Sequence, residues 1–240
     1  MQAKNVGPLR ARIVRNGTES GSESRGMTVV LLHGFGAPGD DLAGLADAIR
    51  VPPGTTLVFP EALHDLGDLA GPMYRGARAW WMIDFAKLEV AIRTGTIREL
   101  PNEIPEGLDE ARASVIELLD VLEKQEDISL DRLVLGGFSQ GAMLTMDVAL
   151  RSERKIAGLV LLSGSYIAER EWKPRMSARK GTPVFQSHGA TDPILPFAVA
   201  EQLRDELGKA GLAVDFHRFP GGHGIPPNVM DELGRWLGSR

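Results

Sequence analysis

Short runs of aliphatic and β-branched residues recur along the chain, and most of them are apolar at consecutive rather than alternate positions: residues 28–32 (TVVLL), 55–59 (TTLVF), 133–135 (LVL), 158–162 (GLVLL), 183–186 (PVFQ) and 213–218 (AVDFHR). A strand with one wet face alternates apolar and polar residues, whereas a strand apolar throughout needs cover on both sides. The cover is present in the intervening segments. Residues 108–124 place Ala111, Val115, Leu118, Leu119 and Leu122 on one helical face, and residues 141–151 and 196–210 have similar spacing. Strands alternating with amphipathic helices predict an α/β fold with a mainly parallel central sheet and helices on both faces. Residues 9–15 are expected to add a further strand, and the polar, small-residue-rich segment 16–26 to be a flexible loop.

With 43% hydrophobic residues in a chain of 240, one substantial core can be buried, and a single domain over residues 1–240 is expected. The formal net charge of −5 argues against a nucleic-acid partner, because phosphate binding needs a basic surface. There is no cysteine, which excludes disulfides, thiolate nucleophiles and sulfur-ligated zinc. No run approaches the roughly 18 apolar residues of a membrane span, so stable membrane insertion is not expected. The opening MQAKNVGPLRARIVRNG lacks the apolar centre of a signal peptide, which makes the cytoplasm the expected compartment. Oligomeric state is not legible.

One short motif carries chemistry. In VLGGFSQGAML, a predicted strand ends near Leu135 and a helix begins near Gln140, with Ser139 between Gly137 and Gly141. This is the strand-turn-helix context of a G-x-S-x-G nucleophile elbow. The two glycines remove the Cβ atoms that would collide in a sharp reversal, and the helix start aims its positive dipole end and the Gln140 N–H at an oxyanion formed on the serine. A tight turn with a helix-capping serine is the competing use of the same residues.

A serine hydroxyl needs a base that is itself oriented by an acid, in the chain order serine, acid, histidine for this type of fold. Asp192, in the loop after the PVFQ strand, and His223, on the glycine-flanked loop after the AVDFHRF strand, meet that order. A turn or cap before Pro193 and an ordinary loop histidine are their plainer alternatives. His217 and Asp215 lie within a strand and Asp205 on a polar helix face, so all three are expected to be structural. The glycines at 34, 36 and 39 in LLHGFGAPGDD allow backbone N–H groups to turn inward, with Phe35 N–H as second oxyanion donor beside Gln140. A phosphate-binding loop is the competing use of these glycines, since Gly34, Gly36 and Gly39 have G-x-G-x-x-G spacing, although G-x-x-x-x-G-K-[ST] is absent. His33 is expected to support this loop by hydrogen bonding, and His64 to be a surface loop residue.

The segments LLHGFG, GGFSQGAM, SHGATDPILP and FPGGHGIP, in this order and spacing, resemble the phospholipase/carboxylesterase family of α/β-hydrolases, whose relatives include the acyl-protein thioesterases. The likeness runs from about Thr28 to Trp236. It implies the α/β-hydrolase fold, esterase activity, Ser139, Asp192 and His223 as catalytic triad, and Phe35 and Gln140 as oxyanion donors. FPEA at 59–62 and AWWMID at 79–84 resemble the family's segment beside the site. Two features depart from the pattern. Ala37 followed by Pro38 stands where the family often has an aspartate, and residues 85–107 are longer than in the compact thioesterases.

Trp81, Trp80, Met82 and Phe85 are candidates for the wall of an acyl pocket, with core packing as their alternative use. The segment 85–107 is expected to begin with a short helix, to break at its prolines and glycines, and to form a partial lid over the pocket. The expected activity is serine hydrolysis of small carboxylic esters or thioesters through an acyl-enzyme, with no metal or cofactor. A non-catalytic binding protein on the same fold and a peptidase with the same triad are the alternatives.

Overall fold

The computed structural model describes residues 2–17, 26–70, 74–94, 102 and 104–240. Most of the expected 16–26 loop, and residues 95–101 and 103 of the expected lid, lie outside the described residues.

Eight strands form one sheet. β1 (Lys4–Val6) and β2 (Leu9–Arg15) make an antiparallel hairpin, which is followed by β3 (Thr28–Leu32) and β4 (Thr56–Pro60). A separate two-stranded hairpin, β5 (His64–Asp65) with β6 (Arg78–Ala79), stands beside the main sheet. The remaining members are β7 (Leu133–Phe138), β8 (Gly158–Leu162), β9 (Pro183–Gly189) and β10 (Ala213–Phe219). Their order in space is β1-β2-β4-β3-β7-β8-β9-β10; β2 pairs antiparallel with β4, and every pairing from β4 to β10 is parallel.

The consecutive apolar residues of the strands sort onto the two faces. From β3, Val30 and Leu32 enter one core together with Leu135, Leu161 and Val184, while Val29 and Leu31 enter the other with Val134, Val160 and Phe185. The first core is closed by α4 (Leu108–Lys124), α5 (Gln140–Arg151), α6 (Glu169–Met176) and α7 (Phe197–Lys209), and the second chiefly by α8 (Pro227–Gly238) with the short α1 (Leu45–Ala48). The stripe expected on residues 108–124 is the buried face of α4, whose Ala111, Val115, Leu118, Leu119 and Leu122 are fully enclosed. Each such leucine or valine contributes about 1.5–3 kcal/mol through burial. Two further short helices, α2 (Leu66–Ala70) and α3 (Phe85–Thr94), flank the β5–β6 hairpin.

β10 is the exception to the fully apolar strand. It lies at the sheet edge, and its side chains are exposed or half-buried until Phe219. Four helices go beyond the sequence expectations, the short α1 and α2 and the longer α6 and α8. α8 has a clear apolar face of Val229, Leu233, Trp236 and Leu237, whereas α6 contains Pro174 and buries only Trp172 and Met176. Among the described residues no helix is long and apolar enough to cross a membrane. The loops after β3, β7, β9 and β10 all leave the carboxyl ends of parallel strands, the edge where such sheets gather their ligands.

Candidate active site

β7 ends at Phe138 and α5 starts at Gln140, leaving the single residue Ser139 to reverse the chain with φ 54° and ψ −117°. A positive φ at a residue with a side chain is a strained state that needs strong support. That support comes from the Ser139 N–H, which donates to the Leu162 carbonyl at 2.9 Å, and from its own carbonyl, which accepts the Ala142 N–H at 3.0 Å. The flanking glycines are dictated by close approach. A Cβ at Gly141 would lie 2.0 Å from the Leu32 carbonyl oxygen, and one at Gly137 would lie 2.6 Å from the same atom. Ser139 makes no side-chain capping bond to α5, so its hydroxyl is not occupied as a helix cap.

That hydroxyl faces an imidazole instead. His223 Nε2 lies 2.9 Å from Ser139 Oγ, and His223 Nδ1 lies 2.7 Å from Asp192 Oδ2. The carboxylate can only accept, so Nδ1 carries a proton and Nε2 faces the hydroxyl as acceptor. The ring of His223 packs on Phe138, with centroids 4.8 Å apart, and Ser163 Oγ donates to the Gly224 carbonyl at 3.1 Å, tying down the histidine loop. Asp192 sits in a turn after β9, where its Oδ1 accepts the N–H groups of Ile194 and Leu195, each at 2.9 Å. Burial pushes the Asp192 carboxyl up, but hydrogen bonds from His188, His223 and the Leu195 N–H outweigh it and hold the group far below the usual carboxylate range.

The histidine and the acids expected to be structural lie away from the serine. His217 stacks on Phe185, with centroids 4.4 Å apart, and places Nδ1 2.7 Å from Glu232 of α8. Asp215 is largely exposed beside it, and Asp205 pairs with Arg204 at 2.8 Å on the surface. His64, expected in a surface loop, is half-buried in β5 and paired with Ala79, because the short hairpin recruits it.

The loop after β3 is anchored at several points. The His33 ring donates from Nδ1 to the Gly34 carbonyl at 2.8 Å and accepts the Ala62 N–H on Nε2 at 3.0 Å; burial lowers its pKa, which suits this neutral, bridging role. Gly36 N–H donates to the Arg78 carbonyl at 2.9 Å, and Arg78 N–H returns a bond to the Ala37 carbonyl at 3.0 Å. The Arg78 guanidinium also donates to the Ala62 carbonyl at 2.7 Å, and Arg12 reaches the buried Glu61 at 2.7 Å. Phe35 thus lines the cavity beside Ser139 on a braced loop.

A cavity of about 730 Å³ opens at the serine. Its wall is mainly apolar, including Trp81, Met82, Met143, Ile167 and Leu195, with Asp84, Lys87 and Glu106 as charged members. Trp80 requires a correction, for it is not part of this wall. It is fully enclosed in the core, and its indole N–H donates to the His33 carbonyl at 2.9 Å. Trp81, by contrast, lines the cavity together with the residues that follow it, Met82, Ile83 and Asp84. The side chain of Phe85 is outside the described positions.

Two contributors go unforeseen in the sequence. The side chain of Gln140, fully buried, accepts the Trp80 N–H on Oε1 at 2.9 Å and donates from Nε2 to the Trp81 carbonyl at 2.8 Å, holding the pocket wall against the elbow. The second is His188, near the end of β9, which stands against Asp192. A histidine inside a buried strand is a visible signal, whereas nothing local reveals what Gln140 grips. Among the described residues no group of three or more metal-ligating side chains converges.

A parallel sheet bearing a strained serine elbow, with an acid and a histidine on later loops, defines the α/β-hydrolase class. Residues 15–238 match the family described as Phospholipase/Carboxylesterase, and the chain belongs to that family. It is 33% identical over 127 residues to acyl-protein thioesterase 1 of Neurospora crassa, a match covering 50% of this chain and 52% of that protein, about half of each. A longer match, 29% over 234 residues, covers 91% of this chain and 94% of acyl-protein thioesterase 1 from Cryptococcus neoformans var. neoformans. The crystal structure of esterase PE8 is similar, with a TM-score of 0.74 and 25% identity over 95% of this chain and 97% of that one.

Proposed function

We propose that this protein is a serine hydrolase that cleaves carboxylic esters or thioesters through an acyl-enzyme on Ser139. The observation that carries the reading is the continuous relay from Ser139 Oγ through His223 to Asp192, with spacings of 2.9 and 2.7 Å, at the floor of an apolar cavity. Family membership and the relatives' names support the same activity.

In this reading His223 Nε2 takes the hydroxyl proton as Ser139 Oγ bonds to the acyl carbon, and the Phe35 and Gln140 N–H groups receive the oxyanion. Asp192 keeps the imidazole in the required tautomer and offsets its charge. His223 then gives the proton to the departing alkoxide or thiolate as the carbon–oxygen or carbon–sulfur bond breaks. Water, deprotonated by His223, attacks the acyl carbon, and Ser139 leaves with the returned proton. Trp81 and Met82 contact the acyl group. The segment 85–107 acts as a partial lid, a role supported by Lys87 at one end and Ile104, Pro105 and Glu106 at the other, all on the cavity wall.

Turnover of p-nitrophenyl esters and acyl thioesters of graded chain length, by the wild type and by Ser139→Ala, tests this. The wild type should turn over, and the variant should lose about three or more orders of magnitude in kcat. A variant retaining a tenth of the activity removes Ser139 from the mechanism, and a wild type that binds these compounds without cleaving them returns the protein to the receptor alternative.

A further inference from the structure

We infer that His188 is a positioning residue for this chemistry: its imidazole locks the Asp192 carboxylate in the rotamer that His223 requires. The inference rests on the triad reading above and deepens it.

Asp192 Oδ2 is bracketed by two imidazoles, with His223 Nδ1 at 2.7 Å on one side and His188 Nε2 at 3.3 Å on the other. Oδ1 is meanwhile taken by the N–H groups of Ile194 and Leu195. A carboxylate offers about four lone-pair directions, and here three accept hydrogen bonds while the fourth faces His188 Nε2 at 3.3 Å. Three of the four hold whether or not the catalytic histidine is in place, and of these only His188 acts on the oxygen that His223 uses. Without it, Oδ2 would depend on His223 alone, and Asp192 would follow that imidazole's movements rather than direct them.

The histidine bonds the main chain beside the acid and keeps the same nitrogen 3.3 Å from the carboxylate. Its Nε2 faces two acceptors, the Leu195 carbonyl at 2.8 Å and Asp192 Oδ2, so that nitrogen carries a proton. Its Nδ1 is buried with no hydrogen-bond partner among the described residues, and the ring is about 1% exposed. An unpartnered buried nitrogen carries a desolvation cost, so the ring is held here by its Nε2 contacts and by packing rather than by bonding at both ends. Phe197 of α7 lies against it, with centroids 6.1 Å apart, and Arg218 of the neighbouring β10 extends over the Phe197 ring. By gripping the Leu195 carbonyl, His188 also fixes a residue of the cavity wall, so acid and wall share one anchor.

The test is a graded series at one position. In His188→Gln the side-chain amide reaches about as far as Nε2 and can still donate to both acceptors; in His188→Asn it stops near the position of Nδ1; in His188→Leu there is no donor. Partners one step removed from the chemistry typically matter about 10–100-fold, so kcat should fall by that factor in His188→Asn and His188→Leu, with KM for a short p-nitrophenyl ester within about twofold. His188→Gln should recover most of the loss. Endpoint titration with a fluorophosphonate puts kcat on a per-active-site basis, so a poorly folding variant does not confound the comparison. The proton NMR resonance of His223 Nδ1–H should shift or broaden in the Asn and Leu variants and stay near its wild-type position in the Gln variant. Equal kcat across the series, or equal losses in all three with an unmoved His223 resonance, overturns the role. Failure of the triad reading looks different, since it would show as an active Ser139→Ala enzyme whatever happens at His188.

Discussion

Gln140 holds Trp81 by its main chain: the buried side-chain amide donates to the Trp81 carbonyl at 2.8 Å while accepting the N–H of the preceding residue at 2.9 Å. The residue that opens the nucleophile helix therefore also sets where the cavity wall begins. Replacing Gln140 by Leu keeps its main-chain N–H but strands two buried backbone groups, and should destabilise the fold by about 2 kcal/mol. Urea denaturation measures that loss, and an ester panel should show weaker discrimination between short and long acyl chains. A variant as stable and as selective as the wild type contradicts the bridging role.

The two histidines of the C-terminal region have separable jobs. His223→Ala should approach the loss expected for Ser139→Ala in kcat, because no other described ring contacts the serine hydroxyl. His217→Ala removes an edge-strand contact to Glu232 and stacking on Phe185, so it should change stability by about 1 kcal/mol and leave kcat near wild type. Steady-state kinetics and thermal melts on the two variants decide the matter; the reverse pattern would mean that the base is misassigned.

Asp192 links the site to acid stability. Its carboxyl titrates lower in the folded protein than the ordinary value of about 3.9 in an unfolded chain. The native state therefore binds fewer protons than the unfolded state in that window. The resulting contribution to stability is complete above the unfolded value and is lost as pH falls below about 4 toward the folded one. Asp192→Asn lacks this titration. Its stability deficit relative to wild type should be largest near neutrality and should shrink progressively below about pH 4, as urea midpoints across pH will show. A deficit independent of pH contradicts the depressed carboxyl. At neutral pH the same variant should be severely impaired in kcat, whereas Asp215→Asn should be nearly normal.

Much of this arrangement is legible in the sequence, for physical reasons. The apolar runs of β3 and β8 have to be covered on both faces, and the glycines around Ser139 announce a crowded turn. Trp80 is misplaced in the sequence reading because AWWMID has no period long enough to say which indole faces which way. The grip of Gln140 is invisible there because its partners at Trp80 and Trp81 are main-chain groups that any residue could supply, and His188 shows only as a histidine inside a buried strand, with nothing local to name Asp192 as its neighbour. α6 escapes because a proline and charged residues dominate a helix with only two buried side chains.

The lid assignment predicts a change in selectivity rather than in chemistry. Replacing residues 93–105 by a short glycine-serine bridge removes Ile104 and Pro105 from the cavity wall. The ratio of kcat/KM on long versus short acyl esters should change, while a small fluorophosphonate still reacts with Ser139. An unchanged ratio in a stably folded deletion variant rules the lid out.

Ser139, activated by His223, becomes covalently bonded in the proposed reaction, and peptide mapping after treatment with a fluorophosphonate detects that bond. One phosphonyl adduct is expected, on the peptide containing Ser139, formed in the wild type, greatly slowed in His223→Ala and absent in Ser139→Ala. An unlabelled Ser139 in a folded wild-type protein, or a label that persists in Ser139→Ala, would contradict it.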